Sequence, residues 1–377
     1  MALTTVRPQG MGFVTGRRNL IINGAMQVAQ RGVGPTAIGT GYYTVDRFKT
    51  QKNNDGAFTS EQSTDHPNGA GNSLKLAVTT ADTSVAADQY LYMSHFIEAQ
   101  NLQHLLYGTS SAKSLTLSFW VKSNKTGTYS FVIRKLDSTK YHLVHEYTID
   151  SADTWEKKII TISPTAGSTS FITASAGAIA NDNGRGLEIG FNLAWGSTYN
   201  GATNNAWSSN TNHYATSNQV NWMDSTSNNF YLTEVQLEVG ENASDFEHRS
   251  FGEELALCQR YFQHWNLGGT YQGGGGFPGM FYSVDLAFAS VPFMCEMRAA
   301  PTGSISAANT WQYINPSDAP NNVNSVSVYG VSKSSATIQV DPSSSGSTPV
   351  VANTSGGMLW PGNTNTNDAT ISMDAEL

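Results

Sequence analysis

The chain has 377 residues and a formal net charge of −8, and its charged fraction of 13% is about half the usual value for a globular protein. That length allows two or three domains, and an acidic balance without a basic stripe excludes a main role in gripping nucleic acid. Two cysteines, Cys258 and Cys295, exclude a disulfide framework and a four-ligand zinc site; Cys258, on the apolar side of an expected helix, is read as a buried free thiol, with a disulfide between the two as the alternative.

Residues 1–19 hold Pro8 and three glycines and show no period, so they read as an irregular leader ordered by contact with a partner or a neighbouring subunit. They lack the apolar stretch of a secretory signal, and no segment of the chain approaches the ~20 apolar residues of a membrane span, so no membrane insertion is expected. Asn19–Gly32 follows, then a turn-rich passage to Tyr42–Phe48. Asp46 and Arg47 read as an ion pair fixing the first strands; the alternative is a calcium site using Asp46 with Glu234 or Glu238. The sequence does not bring three carboxylates together, so no metal and no cofactor are assigned.

Strand signals are dense from Ser73 to Glu188. Ser73–Thr79, Ser114–Lys122, Tyr129–Arg134 and Trp155–Ile162 alternate apolar with polar residues, and Asn124–Gly127 has turn composition. Strands at such spacing predict a sandwich or jelly roll. Within them, Phe96, Ile97, Leu102, Leu105 and Leu106 predict a helix over Ser94–Leu106, with His95 and His104 exposed or capping.

The tract from Gly196 to Asn229 is rich in Asn, Ser, Thr and Gly and carries several aromatics, the composition of a functional loop rather than a disordered one. Trp195 and Trp222 are expected to complete the core, and Tyr199, Trp207 and Tyr214 to be exposed as loop anchors, subunit contacts or glycan contacts. From Tyr231 to Val239 the pattern alternates again, with Tyr231, Thr233, Val235, Leu237 and Val239 on one face. Gly240 ends it. Ser250 and Glu253 have capping-box spacing, and Leu255, Cys258, Phe262 and Trp265 recur at helical spacing. Further strands are expected over Gly279–Val291, Ser325–Val331, Ser335–Val340 and Thr370–Leu377. Trp311, Tyr313 and Trp360 are placed in loops that face a receptor or close a core, and Trp311 joins Tyr199, Trp207 and Tyr214 as a glycan-binding candidate.

No nucleophile elbow, zinc helix or phosphate loop occurs, so no catalytic residue is assigned. Ser110–Lys113 and Lys125–Gly127 match short β-lactamase elements, but the first leads into a strand and the second is a hairpin turn.

Four phrases taken together carry a resemblance: Asn19-Leu-Ile-Ile-Asn-Gly24, Gln236-Leu-Glu-Val-Gly240, Glu254-Leu-Ala-Leu-Cys-Gln-Arg-Tyr261 and Met297-Arg-Ala-Ala-Pro-Thr302. They resemble phage and prophage fibre or tail-appendage proteins with a carbohydrate-binding-module-like jelly roll. The hairpin around Leu115–Lys122 and the phrase Asp153-Thr-Trp-Glu-Lys-Lys158 add to that likeness. It implies a mainly β chain: a leader over 1–19 for virion attachment or trimer contact, a jelly-roll β-sandwich over 20–249, then a short helix and a second small β-rich domain over 250–377. It further implies a non-enzymatic virion adhesin, assembled in the host cytoplasm, with host surface polysaccharide and other virion proteins as partners. The homotrimer is borrowed from fibres in general. A capsid-decoration or tail-adaptor protein is the structural alternative, and a glycan depolymerase the enzymatic one.

Overall fold

Strands dominate the computed structural model, which describes residues 17–67, 71–268, 275–283, 286–314, 321–342, 356–362 and 369–377. Residues 1–16 of the expected leader lie outside the described residues. The chain forms two units, Met1–Ser250 and Phe251–Leu377.

The strands of the first unit are β1 (Thr36–Ala37), β2 (Gly41–Tyr42), β3 (Lys49–Asn53), β4 (Ala57–Ser63), β5 (Ser73–Thr80), β6 (Tyr90–Glu98) and β7 (Leu115–Ser123). They continue with β8 (Gly127–Lys135), β9 (Tyr141–Ile149), β10 (Glu156–Ile162), β11 (Arg185–Trp195), β12 (Ala206–Ser208) and β13 (Asn229–Val239). Among the described residues they build an antiparallel sandwich, one sheet in the order β1-β4-β5-β13-β7-β10 and the other β12-β9-β8-β11-β6-β3-β2. Alternation decides what each sheet buries: Leu117, Phe119 and Val121 of β7 face Phe131 and Ile133 of β8 and Ile189 and Phe191 of β11 in one core. The Phe119 ring meets Phe191 edge to face at 5.1 Å and Tyr147 at 5.2 Å, and each such buried side chain stabilises the sandwich by about 1.5–3 kcal/mol.

β13 departs from the simple alternation. Phe230 and Leu232 are buried in the core, but so are Val235 and Leu237, which have the opposite parity. The register against β7 shifts between Thr233 and Gln236, and Glu234 takes the left-handed conformation at φ 48°. This bulge flips the inward face in mid-strand and turns Glu234 to within 3.3 Å of His66, so Tyr231 and Thr233 do not share a face with Val235.

The bulge also makes room for the first described segment. β5 pairs with β13 only over Asn229–Leu232. Beyond that, Asn19–Gly24 runs beside β13: Leu20 N donates to Leu237 O at 2.9 Å and Val235 N to Gly24 O at 2.9 Å. Buried Asn19 bridges both sides, donating to Val235 O and accepting from Leu237 N. A Cβ on Gly24 would lie 2.1 Å from Val235 O, which explains the glycine. The far end of the unit closes on the same segment: Glu247 accepts from the backbone N–H of Arg18 and Asn19 at 2.9 Å, and Arg249 donates to the carbonyls of Asn19 and Ile21.

The helix expected over Ser94–Leu106 is instead β6 followed by a 3₁₀ helix over Ala99–Leu105. β6 is sandwiched between β3 and β11 and buried along almost its whole length, so its apolar run has no polar face from which to read a period of two. His95 accordingly lies in the core beside the Ile22 backbone, where burial and then Arg47 hold its pKa well below the ordinary value, while His104 is exposed.

The second unit opens with α1 (Phe251–Gln259), whose first turn carries Glu253 and Glu254, the sign the helix dipole favours. Its strands are β14 (Phe262–Asn266), β15 (Phe277–Ser283), β16 (Leu286–Pro292), β17 (Thr302–Ile305), β18 (Trp311–Ile314), β19 (Asn321–Val331), β20 (Ser335–Pro342), β21 (Gly356–Pro361) and β22 (Thr370–Asp374). Phe262 and Trp265, expected on the helix, lie in β14, because pairing with β22 captures this aromatic stretch as a strand. Among the described residues the order β14-β22-β17 makes a small sheet, and β15-β16-β20-β19-β18-β21 a closed barrel filled by side chains such as Ala287, Tyr313, Ile338 and Leu359. Cys258 is buried and Cys295 half-buried, both as free thiols. Among the described residues no helix is long and apolar enough to cross a membrane.

Candidate functional site

The outer face of the seven-stranded sheet carries the site. On β6, Leu91 and Met93 enter the core, so Tyr90 and Tyr92 point to the opposite side. On β11 an irregularity between Asn192 and Ala194 brings Trp195 opposite Tyr90. Gly196 N then donates to Gln89 O and Thr198 N to Ala87 O, which lays the Asn/Ser-rich tract against the start of β6. The tract pairs with itself, Tyr214 N donating to Tyr199 O at 3.0 Å and Ala202 N to Ala215 O at 3.0 Å, and so delivers Tyr199 and Tyr214 to the same place.

Tyr90, Tyr92, Trp195, Tyr199 and Tyr214 line an open cleft of about 170 Å³. Trp195 is its centre. Tyr214, Tyr92 and Tyr90 stack near-parallel to its indole at centroid distances of 4.8, 5.1 and 5.3 Å, and Tyr199 meets it edge-on at 5.6 Å. Tyr90, Tyr199 and Tyr214 are half-buried, and their phenol hydroxyls have no hydrogen-bond partner among the described residues.

A polar floor fixes these rings. Glu188, fully buried, accepts from the Arg134 guanidinium and from the Tyr92 hydroxyl. Arg134 lies 4.6 Å beneath the Tyr214 ring centroid, a cation–π contact. Burial works against its charge, but the Glu188 carboxylate together with the Tyr214 and Tyr92 phenols outweighs it, and the Arg134 pKa is raised. Burial, then Arg134, pushes His142 down to about 3, so the neutral ring accepts from Arg134 Nε at 3.3 Å and donates through Nδ1 to His213 O. Asn192 holds the Tyr214 carbonyl at 2.7 Å and Ser130 Oγ at 2.9 Å. A Cβ on Gly190 would lie 2.9 Å from the Tyr92 ring, so the missing side chain is what lets that ring lie flat on β11.

A second group of rings occupies the outer face of the other sheet. The Lys122 ammonium stands 4.3 Å over Tyr231 and 5.2 Å over Trp155, and is ion-paired to Asp65. Asp65 also accepts from the Trp155 indole at 3.0 Å, and Lys75 bridges Tyr231 to Glu61. Burial opposes the Asp65 charge, but Lys122 and Trp155 hold its carboxyl below the ordinary value. These rings are roofed by charges from the protein itself.

Of the four residues singled out in the sequence, Tyr199 and Tyr214 meet in the cleft. Trp207 and Trp311 do not. Trp207 is 2% exposed: β12 pairs with β9, its indole turns inward, and Nε1 donates to Ser163 O at 2.9 Å. Trp311, expected in a loop, is 1% exposed in β18 and donates to Ser306 Oγ at 3.0 Å, while Tyr313 and Trp360 also lie in strands. Trp222 is a core residue as expected. Trp195 is buried at the end of β11 as expected, though in a small cluster with Tyr92 and Ala215 rather than in the main core, and it is also the central ring of the cleft. Tyr90 and Tyr92 went unread, although Tyr90-Leu-Tyr-Met93 has the i, i+2 spacing that puts two rings on one face of a strand.

The carboxylate of Asp46 accepts from Gln30 N at 3.0 Å and stands 3.7 Å from Arg31, not in a pair confined to Arg47. Burial raises its pKa against the pull of Arg31, and Arg47 donates to Phe96 O. Among the described residues no three His, Cys, Asp or Glu side chains gather as a metal site.

No family model matches the chain, and no curated protein does. Solved structures do, at low identity. The family 11 carbohydrate-binding module of the cellulosomal cellulase Lic26A-Cel5E of Clostridium thermocellum is 16% identical, over 56% of this chain and 98% of that one, with a TM-score of 0.29. TmCBM61 in complex with β-1,4-galactotriose is 9% identical over 59% of this chain and 100% of its own, at 0.28. The enzymatically active domain of bacteriophage CBA120 tailspike protein 4 is 12% identical over 59% of this chain, at 0.28, and the match spans 21% of that tailspike chain. None of them supplies a residue role here.

Proposed function

We propose that the first unit binds glycan in the Trp195 cleft and that the chain is a non-enzymatic adhesin of a phage virion, carried on its tail or capsid. The observation that carries the glycan reading is the convergence of five aromatic rings around one open cleft, three of them with hydroxyls that no group among the described residues engages. A pyranose presents an apolar C–H face that stacks on such rings and hydroxyls that pair with such phenols. The virion reading rests on the resemblance of the four sequence phrases.

Affinity electrophoresis of the purified chain through gels cast with host envelope polysaccharides tests the cleft. Retardation by at least one polysaccharide is expected, with loss of it in the folded Tyr199→Ala/Tyr214→Ala double variant. Equal retardation of the double variant would move the site elsewhere. Release of reducing ends from the retarding polysaccharide would replace the adhesin with a depolymerase, and antibody-labelled imaging of particles tests the location.

A structural reading as an adaptor or self-associating protein is favoured by a different observation. On the barrel of the second unit, Met280, Tyr282 and Tyr329 are 62–67% exposed, and Phe288 packs between the two tyrosine rings. Such patches are typical of protein contacts. Sedimentation of the chain should show an oligomer, a trimer on the fibre analogy, that Tyr329→Ser weakens.

A further inference from the structure

We infer that the Trp195 cleft takes an uncharged glycan, a chain of neutral hexoses or pentoses, and discriminates against uronic-acid and other anionic polysaccharides. This rests on the glycan reading of the cleft and adds the class of sugar.

The argument is one of charge. All five lining side chains are neutral aromatics. The cation that touches the lining, Arg134, is not free to receive a sugar carboxylate. Glu188 takes one edge of its guanidinium, His142 accepts from Nε, and Tyr214 covers its face. Either two-pronged approach of a carboxylate needs Nε or Nη1, and both are already engaged inside the protein. Lys140, exposed and near enough to His142 to lower its pKa, is not among the residues that line the cleft. His142 is neutral at ordinary pH, and burial also lowers the pKa of His213, whose ring nitrogens are occupied by Ser208 and Asn210. Lys49 and Arg185 sit over the Phe96 ring, further along β6, and Asp88, exposed in the turn leading into β6, adds negative charge near the mouth. An anionic chain would lose hydration on entering and find no cation in the lining, in a molecule whose net charge is −8. A neutral pyranose forfeits nothing of this kind and keeps its stacking.

The test uses the full-length chain and matched ligands: an acidic host polysaccharide, the same polymer after chemical reduction of its uronic acids to hexoses, and neutral β-glucan, β-galactan and xylan oligosaccharides. Binding is read by quenching of tryptophan fluorescence and by calorimetry. Neutral or reduced ligands should bind at least about tenfold more tightly than the acidic polymer, and raising NaCl from about 50 to 500 mM should change their affinity less than about twofold, since no ion pair is formed. Tighter binding of the unreduced polymer, or affinity that collapses with salt, overturns the inference while leaving the glycan reading in place. No binding of either class overturns the glycan reading itself.

Discussion

The two outer faces of the sandwich carry similar chemistry and end in opposite states. On one, Trp155 and Tyr231 are roofed by Lys122 and Lys75, and the roof is neutralised by Asp65 and Glu61. On the other, the cation lies underneath the rings: Arg134 supports Tyr214 from below, and the upper side is left to an open cleft. Aromatic content alone does not mark a binding surface. What separates the two is where the compensating charges sit, over the rings or behind them.

The most severe way to break the contrast is Trp195→Ala. It removes the ring on which Tyr90, Tyr92 and Tyr214 stack, and should cost about 3–5 kcal/mol in urea denaturation together with all polysaccharide binding. A loss below about 1 kcal/mol would mean that the tyrosines hold their positions without it.

Acid separates the faces next. The folded-state pKa of His142 is depressed to about 3 from an ordinary 6.5, so the unfolded chain binds the extra proton first. Its contribution is complete above pH 6.5 and declines as pH falls from there towards 3, at up to about 1.4 kcal/mol per pH unit. His95 acts in the same direction. Asp65 is shifted down from 3.8, so the stability it lends is present above 3.8 and disappears only below it, as pH falls through the folded value. Denaturation midpoints measured from pH 7 to 4 should fall while the Lys122–Asp65 roof stays intact; a flat profile would contradict the burial of the two histidines.

Lys122→Met is gentler and should act on one face only. It deletes an ion pair and two cation–π contacts, a loss of about 1–2 kcal/mol, and should leave glycan affinity unchanged. Lowered affinity would place sugar on the roofed face as well. The smallest structural effect belongs to Tyr199→Phe. Its hydroxyl has no partner among the described residues, so stability should move by no more than about 0.5 kcal/mol while affinity drops several-fold. Unchanged affinity would show that this hydroxyl meets no ligand.

The sandwich was legible where polar residues alternate with apolar ones: Glu156–Ile162 has one wet face, and Leu115-Thr-Leu-Ser-Phe-Trp-Val, although covered on both sides, keeps Thr116 and Ser118 on its outer one. Legibility failed where both faces are largely apolar. β6 lies between two strands with its outer side under the tract, so its apolar run imitated a helix and hid Tyr90 and Tyr92. In β13 a single residue with positive φ reversed the parity, a change that no count of alternating residues reveals. The site was half legible. The polar loop drew attention to Tyr199 and Tyr214, but the same reasoning chose Trp207 and Trp311, since composition does not tell a ring on a loop tip from one that an edge strand turns inward. Trp195 was read as buried, which it is, but its place among the cleft rings depends on the irregular pairing of β11 with β6, which the sequence does not display.

Arg17–Gly24 and Glu247–Arg249 meet at one point of the first unit, joined by the Glu247 carboxylate and the Arg249 guanidinium. Mechanically, this is a buckle. A pull entering at Arg17 and leaving beyond Arg249 is carried across a few charge-assisted hydrogen bonds in parallel with β13, and the sheet bearing the cleft lies outside that load path.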